Sequence, residues 1–175
     1  QPEEMVIKDG KLYVANSGGY RFPDYDRTVS VIDLKTFQVI KTIDVAINLH
    51  RMKLDRYGRI YVSSRGDYYG TGSDVFIIDT QTDRVTGNLG IAASEMCLSG
   101  DSIYMTSVEW SYVTESNTIT YALYDVKQNK IVSRNFITDG NNYSVWDSCK
   151  SRDQRNICNG CKKLCCTRLS LLFQS

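Results

Sequence analysis

The stretch SVIDLKTFQV at residues 30–39 returns as VFIIDTQTDRV at residues 75–85 and as YALYDVKQNKI at residues 121–131. In each copy an alternating run of β-branched, aliphatic or aromatic residues ends on an aspartate: Asp33, Asp79 and Asp125, 46 residues apart both times. Six residues later stands Val39, Val85 or Ile131, opening a second short apolar run such as VIKTIDV. Period-two alternation is the pattern of a half-buried strand. The polar segments LKTFQ, TQTDR and VKQNK have the length and residue types of hairpin turns. An Asp that closes a strand before such a turn hydrogen-bonds the turn's own backbone. The three aspartates are therefore read as structural and not as ligands.

A second phrase recurs with looser spacing: GKLYVAN from Gly10, GRIYVSS from Gly58 and GDSIYMTS from Gly100, each preceded by a short run holding Met5, Met52 or Met96. Each unit thus reads as four strands, placed in the first unit at 5–8, 11–16, 28–34 and 38–44. No stretch carries a helical stripe of ten or more residues. Four short strands per repeat of roughly 40–50 residues is the pattern of a propeller blade. A single twisted sheet cannot cover both its faces, so blades stack and bury one another. The fold class predicted is all-β: a partial β-propeller of about three four-stranded antiparallel blades over residues 1–140, with an aberrant C-terminal tail over 141–175. Closed propellers have roughly 4–8 blades. The chain accordingly reads as a fragment of a larger propeller, with bare blade faces that favour self-association.

The tail breaks the pattern in composition as well. Residues 1–140 hold 15 Lys and Arg against 18 Asp and Glu, a net of −3, and one cysteine, Cys97; residues 141–175 hold 6 against 2, a net of +4, and five cysteines. Cys158 and Cys161 form a C-x-x-C pair, half of a zinc site, but Cys165 and Cys166 are adjacent and no second matching pair follows. Dropping one base after about residue 140 gives compatible translations that include IYVTD, the blade phrase again. The tail is read as a frameshifted next blade whose cysteines are accidental. Cys97 in MCLSG is read as a small buried hydrophobe.

The whole chain, at 175 residues and net +1, has no field of one sign to attract nucleic acid or anionic lipid. No apolar run is long enough to span a bilayer, and QPEEM has neither the basic nor the apolar region of a signal peptide. A chain that begins this way is expected to be a processed protein or a fragment. Catalytic chemistry finds little material. His50 is the only histidine and is expected in a loop between blades. Nothing resembles G-x-S-x-G or H-E-x-x-H, and the glycines at 18, 19, 70 and 72 open no helix that would cradle phosphate. Asp24, Asp26, Asp67 and Asp74 match no calcium loop. No enzyme activity, cofactor or metal is expected.

Three long connections stand out: NSGGYRFPDYDR (16–27), SRGDYYGTGSD (64–74) and TSVEWSYVTESN (106–117). They carry Tyr20, Phe22, Tyr25, Tyr68, Tyr69, Trp110 and Tyr112 beside Arg21, Arg65, Asp67 and Glu109. Equivalent loops of successive blades emerge on one face, and flat aromatic groups with a few charges suit a bulky amphipathic ligand. These eleven residues are the predicted ligand-binding set.

The units built on IYVSSRGD, VIDLKTFQV and VFIIDTQTDRV resemble YncE-type β-propellers. The opening QPEEMVIKDGKLYVANSGGY is similar to the surface-layer propeller proteins of gut Bacteroidetes. That resemblance implies a non-catalytic binding protein, secreted or lipid-anchored at the outer-membrane surface, and in some members capture of a corrinoid such as cobalamin for a TonB-dependent transporter. A surface-layer structural role, or an interaction with a protein or glycan, is the alternative it leaves. A propeller lyase or lactonase is a third reading.

Overall fold

The computed structural model describes residues 1–68, 71–111 and 115–137. They form β1 (Pro2–Lys8), β2 (Lys11–Asn16), β3 (Thr28–Asp33) and β4 (Val39–Asp44); β5 (Leu49–Leu54), β6 (Arg59–Ser64), β7 (Asp74–Asp79) and β8 (Arg84–Asn88); then β9 (Glu95–Ser99), β10 (Ser102–Ser111), β11 (Ser116–Asp125) and β12 (Lys130–Ser133). Consecutive strands pair antiparallel, giving three four-stranded sheets in the simple orders β1-β2-β3-β4, β5-β6-β7-β8 and β9-β10-β11-β12. The described residues contain no helix.

The 46-residue period is visible in the pairing. The third and fourth strands of each sheet slip register between Val31 and Ile32, between Ile77 and Ile78, and between Leu123 and Tyr124. The three aspartates then close the turns as expected. Asp33 Oδ1 accepts the amides of Lys35 and Thr36, both at 2.8 Å, Asp79 Oδ1 accepts that of Gln81 at 3.0 Å, and Asp125 Oδ1 accepts that of Gln128 at 2.8 Å. The Thr36 and Lys35 amides hold the Asp33 carboxyl below its ordinary range, and the Gln81 amide with the Thr82 hydroxyl does the same for Asp79. Each turn ends on a left-handed residue: Phe37 at φ 56°, Asp83 at φ 51° and Asn129 at φ 54°.

The chain divides into two compact units, Gln1–Ser94 and the remainder from Glu95. In the first, two sheets share one core. Tyr13, Ala15, Val29, Val31 and Ile43 of the first sheet pack with Leu49, Met52, Ile60, Val62 and Ile78 of the second. Polar ties cross the same boundary. Glu4 accepts the Met52 amide and, at 2.7 Å, the Lys53 ammonium; Asp83 accepts the Lys11 ammonium at 2.6 Å and the Tyr13 hydroxyl at 2.5 Å. In the second unit, Phe136 packs edge-on against Tyr104 and Tyr121.

Four sequence expectations are corrected. The first strand starts at Pro2 and not at residue 5, because a slip between Pro2 and Met5 lets pairing with β2 continue to Asn16. The third long connection is mostly strand: β10 and β11 pair without interruption from Ser102↔Asp125 to Ser111↔Ser116. His50 lies in β5, 6% exposed, and not in a loop. Cys97 is buried in β9 as expected, but it is disulfide-bonded and not a free thiol. The frameshift and zinc readings of the tail fall outside the described residues.

Candidate ligand-binding site

The first two long connections are built alike. Gly18 and Gly66, 48 residues apart, follow β2 and β6 and take left-handed conformations at φ +80° and +67°. A Cβ on Gly18 would stand 2.3 Å from the Asp26 amide nitrogen, and one on Gly66 would stand 1.9 Å from the Thr71 carbonyl oxygen. Only glycine lets each loop fold back on its own stem. The stems are then closed by Asp26 N–H donating to Ser17 O at 3.1 Å and Asp67 N–H donating to Thr71 O at 3.1 Å.

Between these loops lies an open cavity of about 350 Å³, whose walls include Tyr20, Phe22, Tyr25, Arg65 and Tyr68. Five of the eleven predicted residues therefore meet at one place. Phe22 and Tyr68 are 58% and 64% exposed, and Tyr20 fully so, while Phe22 and Tyr25 meet edge to face with centroids 6.1 Å apart. Phe22 and Tyr25 thus brace each other, while Tyr20, Phe22 and Tyr68 remain largely exposed.

The cavity wall contains residues that sequence reasoning missed. Glu3, Ser17 and Asn48 also line it, and buried His50 stands directly behind. Both Glu3 and His50 sit at register slips, between Pro2 and Met5 in β1 and between Leu49 and Met52 in β5. A bulge breaks strand alternation and re-aims side chains. That is why an acid and a histidine end up together from strands whose periodicity assigned neither to a site. Arg65 Nη2 donates to His50 Nε2 at 2.7 Å; His50 Nδ1 faces Glu3 Oε2 at 3.5 Å; Ser17 Oγ donates to Glu3 Oε1 at 2.8 Å. Because Nε2 accepts from a guanidinium, the imidazole proton belongs on Nδ1, toward the carboxylate. Asn48 is fixed by donating to Gly66 O at 3.1 Å.

The other predicted residues fall elsewhere. Arg21 and Asp67 lie on the same two loops but outside the cavity wall, and Asp67 Oδ1 is engaged by the Thr71 amide at 2.8 Å, a loop-closing contact. Glu109 and Trp110 belong to β10, opposite Thr118 and Asn117, so they stand on a strand and not on a loop. Tyr69 and Tyr112 lie outside the described residues. Among the described residues no group of three or more His, Cys, Asp or Glu is placed to hold a metal ion. Asp26 and Asp74 instead accept backbone amides of Arg27 and Val75, both at 2.7 Å.

Comparison with known proteins locates the fold. The chain is similar to hydrazine synthase of Kuenenia stuttgartiensis, at 20% identity and a TM-score of 0.57, over 76% of this chain and 36% of that one. It is also similar to the Pan2 WD40 domain of Neurospora crassa, at 14% identity and a TM-score of 0.52, over 75% and 38%. The sheets are β-propeller blades. The chain spans well under half the length of each of these two structures, and at such identities the likeness concerns architecture alone. No protein-family model and no curated protein matches the sequence.

Proposed function

We propose that this chain is the ligand-binding part of a non-catalytic β-propeller that works outside the cytoplasm, taking a ring-bearing ligand on the loop face of its first two blades. The observation that carries this reading is the convergence of Tyr20, Phe22, Tyr25 and Tyr68, from two equivalent loops, around one open cavity beside Arg65. Exposed aromatic rings supply stacking area, and a few charged groups orient what stacks. The extracytoplasmic setting rests on the resemblance to surface-layer propellers. So does the ligand class that resemblance implies, a corrinoid handed on to a TonB-dependent transporter. A surface glycan or protein is the second reading, favoured by the full exposure of Tyr20, a ring positioned to meet a partner that extends beyond the cavity.

The test is a calorimetric titration of the intact chain with cyanocobalamin and with surface glycans, followed by mass spectrometry of the recovered ligand. Saturable binding is expected, weakened about fivefold to tenfold in Tyr68→Ala and in Phe22→Ala, the loss of one aromatic contact. Equal affinity in both variants would remove the cavity as the site. A chemically altered ligand would overturn the non-catalytic reading.

A further inference from the structure

We infer that the cavity between the first two long connections takes a neutral saccharide, one sugar ring against its aromatic wall with the neighbouring rings outside. This inference rests on the cavity being a binding site and goes on to name its ligand class.

Three properties of the wall select that class. The first is size. A volume of about 350 Å³ lies at the low end of the roughly 300–1,000 Å³ typical of small-ligand pockets. It accommodates one or two six-membered rings, whereas a corrin macrocycle with its side chains would stand mostly outside. The second is charge. Glu3 and Arg65 line the same cavity with opposite signs, so an anion meets the carboxylate and a cation meets the guanidinium. A neutral ligand bearing both donors and acceptors meets neither penalty.

The third is geometry. His50, 6% exposed, holds Arg65 through Nε2 and faces Glu3 through Nδ1. The buried ring holds the planar donor, and Ser17 Oγ, donating at 2.8 Å, holds the planar acceptor on the same wall. Each carboxylate oxygen can accept more than the single bond that Ser17 supplies, and a guanidinium has five N–H groups, of which one is given to His50. Adjacent hydroxyls on a sugar ring, each at once donor and acceptor, pair with such planar groups two at a time. The C–H face of the same ring packs on exposed aromatic faces, which Phe22 and Tyr68 offer. A flat apolar ligand would use the rings and leave Glu3 and Arg65 desolvated without partners.

The experiment titrates the intact chain with three neutral trisaccharides, triacetylchitotriose, maltotriose and mannotriose, and separately with cyanocobalamin. It is repeated on Tyr68→Ala, Tyr68→Phe, Glu3→Gln and Arg65→Met, with circular dichroism confirming that each variant keeps its fold. At least one trisaccharide is expected to bind, about fivefold to tenfold more weakly in Tyr68→Ala, Glu3→Gln and Arg65→Met, and nearly as well in Tyr68→Phe, which keeps the ring. Cyanocobalamin binding that weakens in Tyr68→Ala, with no trisaccharide bound, would overturn the saccharide and leave the cavity as the site. Trisaccharide binding unchanged in all four variants would overturn the cavity itself. Absence of binding by all four probes would overturn both.

Discussion

Tyr13 is wholly buried, and its hydroxyl donates to Asp83 Oδ1 at 2.5 Å while Lys11 holds the other carboxylate oxygen at 2.6 Å. Burial, followed by the bond to Asp83, pushes the phenol far above its ordinary value. The three groups come from two sheets, Lys11 and Tyr13 from β2 and Asp83 from the turn before β8, so they lock one blade to the next. Removing the hydroxyl in Tyr13→Phe leaves Asp83 still paired with Lys11. The expected cost is therefore about 1–2 kcal/mol, below that of stranding a buried charge. The pH dependence has a definite sign. A phenol whose folded pKa is raised contributes fully below the unfolded value of about 10 and loses that contribution as pH rises toward the folded value. Thermal melts of wild type and Tyr13→Phe should accordingly differ by a constant amount at neutral pH and converge above pH ~10. A difference that persists unchanged into strong alkali would mean the hydroxyl is not the group responsible.

The two loops depend on glycines that no other residue replaces, and this separates one element from another by experiment. Gly18→Ala and Gly66→Ala would each force a side chain into the left-handed region and into backbone atoms 2.3 Å and 1.9 Å away. Each is expected to cost about 1–3 kcal/mol and to lower ligand affinity through the displaced rings. Gly72→Ala, with open space around its Cβ, should stay within about 0.5 kcal/mol of wild type. Equal melting temperatures for all three would show that the loops do not close as described. The β-strands themselves were legible because Asp33, Asp79 and Asp125 mark one turn three times, and a period-two pattern has one physical reading when repeated. The β10–β11 hairpin was not. TSVEWSYVTESN holds no proline or glycine, and its place in the repeat, equivalent to that of two true loops, made it look like a third, whereas its Thr, Val and Trp are strand formers. The site was half legible for a related reason. Aromatic residues on a loop announce themselves by composition, but Glu3 on the cavity wall and His50 behind it come together through bulges, and a broken register leaves no periodic trace in the sequence. Their partnership spans 47 positions, a contact only the stacked sheets create.

At the scale of the molecule, the decisive feature is what the first blade leaves uncovered. Val6 packs on the shared core of the first unit, so on β1 the alternation turns its neighbours Met5 and Ile7 the other way, where they are 56% and 60% exposed. A strand in a propeller buries both faces, and an apolar row left in water is a surface for association. The chain is therefore expected to self-associate with rising concentration in sedimentation equilibrium, through this face. The double substitution Met5→Glu with Ile7→Lys places opposite charges at two side chains that are more than half exposed, so its effect on folding should remain small, about 0.5 kcal/mol per site. It should hold the chain monomeric at concentrations where wild type does not. Ligand binding at the loop cavity should survive the substitution, because neither residue lines it. Wild-type chain that stays monomeric throughout, or a double variant that associates as strongly, would show that this face is not the surface that drives assembly.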